Sequence, residues 1–149
     1  MNLPIGELAR RTGLKVPTIR FYEQIGLVAA PPRTAGNQRR YGQGEVDRLN
    51  FIRHARELGF EVEDIRELLT LSSVPQASCH EADSIARSHL QEIDRRIERL
   101  KALRCELERM VEECGHGRIC DCRIIEVLAD HGLCESEHGQ RERLAAIEA

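Results

Sequence analysis

Residues 5–26 read IGELARRTGLKVPTIRFYEQIG, two short apolar patterns parted by a glycine. Ile5, Leu8, Ala9 and Thr12 recur at i, i+3, i+4 and i+7, which sets them on one face of a short helix, and Gly13 closes it. A second helix is predicted from Pro17 to Gln24. Proline suits a first turn because its missing N–H would have no partner there, and Gly26 ends the segment. Two short helices joined by a tight turn make a helix-turn-helix candidate. Downstream, Pro31 to Gly42 is irregular and rich in Arg and Gly, the composition of a β-wing. Helices follow over Glu45–Leu58, with Val46, Leu49, Ile52 and Ala55 inward and Gly59 as stop, and through Val62, Ile65, Leu68 and Leu69. The run Ser72-Ser73-Val74-Pro75 then breaks the pattern and marks a domain boundary.

From Cys79 to Glu113 there is neither Gly nor Pro. Leu90, Ile93, Ile97, Leu100, Leu107 and Val111 repeat in alternating three- and four-residue steps, interrupted at Arg104, which is a coiled-coil seam rather than a globular core pattern. So narrow a stripe on so long a helix has nowhere to bury itself within a short chain, so it predicts a partner helix, most simply from a second copy. Ser78 and Glu81 read as the N-cap and third position of a capping box opening that helix. Beyond it, Cys114 to Cys122 is a loop containing Gly115 and Gly117, and Ile124, Ile125, Val127 and Leu128 form a short apolar helix. The expected class is therefore mainly α. A winged helix-turn-helix head (1–72) is followed by a linker (73–78), a dimerisation helix (79–113), a loop and short helix (114–134) and a flexible polar tail (135–149).

Composition narrows the function. Charged residues make up 32% of the 149 and aromatics 3%, with no Trp, which favours exposed helices over a large aromatic core. No eighteen-residue apolar run occurs and residues 1–13 lack a signal-peptide layout, so a soluble, cytoplasmic chain with no membrane partner is expected. The net charge of −3 hides an asymmetry: residues 1–56 carry ten Lys and Arg against four Asp and Glu, whereas the remainder carries twelve against twenty-one. A basic head on an acidic body is the distribution of a DNA reader. Six cysteines in a reducing compartment point to metal or redox chemistry before disulfides, and Cys114, Cys120, Cys122 and Cys134 fall within twenty-one residues.

Several motifs taken together resemble the MerR family of bacterial transcription regulators. They are Ile5-Gly-Glu-Leu-Ala, Thr18-Ile-Arg-Phe-Tyr-Glu, Gly26-Leu, Arg39-Arg-Tyr41, Leu49-Asn-Phe-Ile-Arg, Leu58-Gly-Phe and Ile65-Arg-Glu-Leu-Leu. The resemblance covers residues 1–72 almost continuously and extends through the long helix and the cysteine loop. It implies a non-enzymatic activator with a winged head, an antiparallel dimerisation helix and a C-terminal effector site. Such a homodimer would distort double-stranded operator DNA so that RNA polymerase can engage the promoter. One departure is Gly36-Asn37-Gln38-Arg39, where the family often has Gly-Tyr-Arg in the wing.

Lys15, Thr18, Arg20 and Tyr22, on or beside the second helix, are the candidates to enter the major groove. Arg33, Arg39, Arg40 and Tyr41 would hold phosphates from the wing, contacts that position more than they read. Ile19, Phe21 and Ile25 are read as packing.

Thiolates select soft ions, so Cys114 and Cys122, at the ends of a pliable loop, are the candidate metal ligands. Cys79 adds a third thiol at the start of the long helix, where the positive end of the dipole favours a thiolate. Thirty-five helical residues at about 1.5 Å each separate Cys79 and Cys114 of one chain by roughly 50 Å. In an antiparallel pair, Cys79 of one copy instead meets the Cys114 loop of the other. A third thiolate suits a divalent effector (Zn, Cd, Pb or Hg), whereas Cu(I) would use the two loop cysteines alone. His116 is a candidate fourth ligand, and Cys120 is one to replace or supplement Cys122. A redox-responsive regulator is the other alternative, but the cysteine gaps differ from those of the family's cluster sensors. A thiol oxidoreductase is disfavoured because no Cys-x-x-Cys pair occurs.

Overall fold

The computed structural model describes residues 2–134, so the tail expected over 135–149 lies outside the described residues. The described chain is helical: α1 Ile5–Thr12, α2 Val16–Gln24, α3 Gln43–Glu57, α4 Val62–Ser72, α5 His80–Glu112 and α6 Arg123–Ala129. Single 3-10 turns at Ile119–Asp121 and His131–Leu133 flank α6. Two compact units divide inside α5, between Ile85 and Ala86.

In the head, α1 stops where Gly13 takes a left-handed backbone, φ +69°. The buried Thr12 returns its hydroxyl to the Leu8 carbonyl at 2.8 Å, so a polar residue costs the core nothing. Helix α2 begins at Val16, with Pro17 in the first turn as expected, and Gly26 (φ +74°) turns the chain away. The amides of Leu27 and Val28 both donate to the Tyr22 carbonyl. Arg48 of α3 donates to Leu27 O at 2.6 Å and Arg66 of α4 to Ile25 O at 2.9 Å, so the end of α2 is held from two sides. Helix α3 starts two residues earlier than the apolar pattern suggests. Glu45 accepts the Gly42 amide at 2.7 Å, which makes it the third residue of the helix rather than the first. Leu8, Ile19, Leu27, Leu49, Ile52 and Ile65 are fully buried and form one core.

The wing is a turn between two isolated bridges, Arg33 to Arg39 at its tip and Leu3 to Tyr41 at its base. Asn37 takes the left-handed position, φ 60°, a conformation asparagine tolerates better than most residues.

In the second unit, Arg123 of α6 donates to Glu113 at 2.7 Å, and Arg109 of α5 bridges Glu106 and the Leu133 carbonyl. Met110 and Val127 are buried. The seam is not: Leu90, Ile97, Leu100, Leu107 and Val111 are between 43% and 64% exposed. Among the described residues no helix is long and apolar enough to cross a membrane.

Candidate DNA-reading surface and metal centre

The outward face of α2 follows from its phase. Ile19 and Tyr22, three residues apart, point into the core, so Pro17, Arg20, Phe21 and Gln24 point out. Lys15, at the start of the helix, and Arg20 are exposed, and Thr18 is half-buried beside them. Tyr22 departs from the expectation: it is a core residue, because it shares the buried face with Ile19. Phe21 departs in the opposite sense. Expected to pack, it is 49% exposed, its ring tilted against that of Tyr22 with centroids 5.9 Å apart.

On the wing, Arg33 donates to the Asn37 carbonyl at 3.1 Å and Arg40 to the Gln38 side chain at 3.0 Å. These neutral partners shape the turn and leave both guanidinium charges uncompensated for phosphate. Tyr41 corrects the expectation that it faces phosphates, and Arg39, its side chain a third exposed, is paired with a carboxylate. The Tyr41 ring is 1% exposed and its hydroxyl donates to Glu23 at 2.6 Å, while Arg39 donates to the other oxygen of Glu23 at 3.1 Å. Burial, reinforced by the Glu23 carboxylate, pushes the Tyr41 hydroxyl up to about 12, so it remains a donor. Glu23 is the residue of this surface that sequence reasoning missed. Its partners lie sixteen and eighteen residues away, beyond any local pattern.

At the far end of α5, Cys114 and Cys122 come together. Cys122 stands at the N-cap of α6, and Cys114, at the other end of the loop, is near enough to add to the lowering of its thiol. The Ile125 amide holds the Cys122 thiol below its ordinary value; burial opposes this, and the Ile124 amide and Cys114 add to it. A pair of adjacent thiols with one biased toward thiolate fits a soft metal ion. His116, rather than either glycine, takes the left-handed backbone of the loop, φ 52°, which costs a non-glycine residue about 1–2 kcal/mol. His116, Cys120 and Cys79 are exposed. Among the described residues no three His, Cys, Asp or Glu side chains of one chain converge as a metal site. Within one chain, then, two of the five candidate ligands meet.

Comparison with known proteins agrees with this architecture. Residues 3–71 match the model of the MerR HTH family regulatory proteins, and residues 46–110 match that of the MerR DNA-binding region. The chain is 40% identical over 129 residues to the HTH-type transcriptional regulator HmrR of Sinorhizobium medicae, covering 86% of this chain and 87% of that one. It is 39% identical over 129 residues to the mercuric resistance operon regulatory protein of Bacillus cereus, covering 86% and 98%. Among solved structures it is similar to the transcription regulator PbrR691 of Ralstonia metallidurans in complex with lead(II). There the TM-score is 0.75 and the identity 33%, covering 85% of this chain and 98% of that one.

Proposed function

The chain belongs to the MerR family of DNA-binding transcription regulators, which are not enzymes, and from that premise we propose that it is a homodimeric activator switched by a soft divalent metal ion. The observation that carries this reading is the placing of two half-buried cysteines at the two ends of one loop, Cys114 just after α5 and Cys122 at the N-cap of α6. They would hold the ion, with Cys79 of a second copy supplying a third sulfur and His116 or Cys120 completing a four-coordinate set. The charge supplied by a divalent ion would stabilise the thiolates and fix the loop between its two ends.

Support for the second copy comes from α5, whose exposed apolar stripe has no cover and whose 33 unbroken residues part its ends. Lys15, Thr18 and Arg20 would enter the major groove while Arg33 and Arg40 hold phosphates of the operator. Metal would then change how two heads are held on the operator rather than how well each binds, and RNA polymerase would read the distorted promoter. That only two thiols meet within one chain also suits Cu(I), which accepts two-coordinate thiolate binding, and this is the second reading.

The test is transcription in vitro from the promoter region of the regulator's own locus, scanned over Zn, Cd, Pb, Hg and Cu(I), beside operator affinity. The proposal expects a divalent ion to activate at least about tenfold while shifting affinity less than about threefold, as a coupling through head geometry would. The double variant Cys114→Ser with Cys122→Ser should bind DNA but ignore metal. Activation by Cu(I) alone would favour the second reading. Metal-independent transcription by the parent would contradict both.

A further inference from the structure

Glu23 stands in the last turn of α2, and its side chain is 6% exposed. A carboxylate so enclosed needs charge and hydrogen bonds around it to offset its burial. Both its oxygens are engaged, and both partners belong to the wing: the Tyr41 hydroxyl at 2.6 Å and the Arg39 guanidinium at 3.1 Å. Tyr41 is itself fixed by a buried ring and by paired backbone bonds with Leu3, 2.9 Å in each direction. The wing is thus tied to α2 through one acidic side chain. Arg39 differs from its neighbours, since Arg33 and Arg40 face neutral groups while Arg39 faces a carboxylate.

We propose that Glu23 is a positioning residue that sets operator selectivity, by joining the wing to α2 in one geometry and by keeping Arg39 from serving as a general phosphate ligand. Selectivity is a difference between affinities. A loose cationic side chain strengthens binding to every duplex alike, because phosphates carry no sequence. A wing free to shift against α2 would also misplace Arg33 and Arg40 when Arg20 is seated in the groove. One carboxylate removes both faults. The inference rests on α2 and the wing being the DNA-contacting elements; if they are not, Arg20→Ala will bind operator like the parent, an outcome read separately.

Glu23→Gln is the decisive variant, since it keeps the shape and an acceptor for Tyr41 but removes the charge that holds Arg39. Binding would be followed by anisotropy across a KCl series, on a duplex selected from random DNA by the parent protein and on a scrambled duplex of equal length. The expected result is a fall of about tenfold in the operator-to-scrambled ratio. The salt dependence on scrambled DNA should steepen by about 0.9 in log–log slope for each Arg39 released. Adding Arg39→Gln to Glu23→Gln should return that slope to the parent value without restoring the ratio. Tyr41→Phe, which removes one bond to the same carboxylate, should lower the ratio by a smaller factor with the slope unchanged. It carries the test if Glu23→Gln does not fold. A parental ratio and slope in Glu23→Gln would overturn the proposal. So would equal losses on both duplexes at an unchanged slope, which is the signature of a merely structural role.

Discussion

In the head, Leu8, Ile19, Leu49, Ile52 and Ile65 are fully buried within one chain, whereas along α5 Leu90, Ile97, Leu100, Leu107 and Val111 stand open. The two regions draw on the same residue types. What separates them is the period and length of their elements. Short helices meeting at Gly-marked turns fold back and cover one another, while a 33-residue helix with a narrow stripe cannot fold back on itself. The same contrast appears in the chemistry. The carboxylate of Glu23 finds both its partners within its own unit, whereas among the described residues no three potential metal ligands of one chain come together around Cys114 and Cys122. One region closes its core within the chain, and the other leaves its apolar stripe exposed.

Two substitutions should break this contrast if it is wrong. Ile52→Ala opens a cavity in a closed core and should destabilise the head by about 2–5 kcal/mol, seen as a lower denaturation midpoint. Leu107→Glu places a charge on the open stripe and should leave the head's unfolding almost unchanged while halving the mass measured by ultracentrifugation. If Leu107→Glu keeps the parent's mass, the stripe is not an interface.

A smaller effect sharpens the account of the head. Arg20→Ala should cost about 1–3 kcal/mol of operator affinity and relax the sequence preference, because it removes a groove-facing donor. Arg40→Ala should weaken binding about equally on all sequences and flatten the salt dependence. Competition between operator and scrambled duplexes separates the two patterns. Parental binding by both variants would remove α2 and the wing from the DNA surface.

Local signals made most of the head legible. Gly13, Gly26 and Gly59 each carry the positive φ that the expected helix ends require, and Val46, Leu49, Ile52 and Ala55 are all buried. The long helix was equally readable from its unbroken run without Gly or Pro, and its apolar stripe is exposed. The errors fell where two like residues compete for one place. Phe21 and Tyr22 are adjacent, and helix composition does not say which turns inward; Ile19 settles it through its spacing to Tyr22. Arg39, Arg40 and Tyr41 read as one basic, aromatic cluster, but a distant carboxylate divides them by holding the buried Tyr41 and pairing with Arg39. At the candidate metal centre, the loop spacing pointed to Cys114 and Cys122, which stand at the two ends of the loop between α5 and α6. His116 and Cys120 share that loop but are exposed, and Cys79 stands at the opposite end of the long helix, so no local spacing joins it to them.

The most direct measurement is therefore metal stoichiometry in a mixed dimer. One copy carries Cys79→Ser and the other carries both Cys114→Ser and Cys122→Ser. Each variant alone should form a homodimer that lacks a needed sulfur at both ends and binds no soft metal with parental affinity. In the heterodimer, the serine substituted for Cys79 faces a loop without thiols at one end, while at the other an intact Cys79 faces an intact loop. Competition with a colorimetric chelator should therefore return about one ion per heterodimer against about two per parent dimer, as expected for two equivalent sites related by symmetry. A heterodimer that binds none, or a Cys79→Ser homodimer that keeps full affinity and response, would contradict the shared site and leave the ion to Cys114 and Cys122 alone.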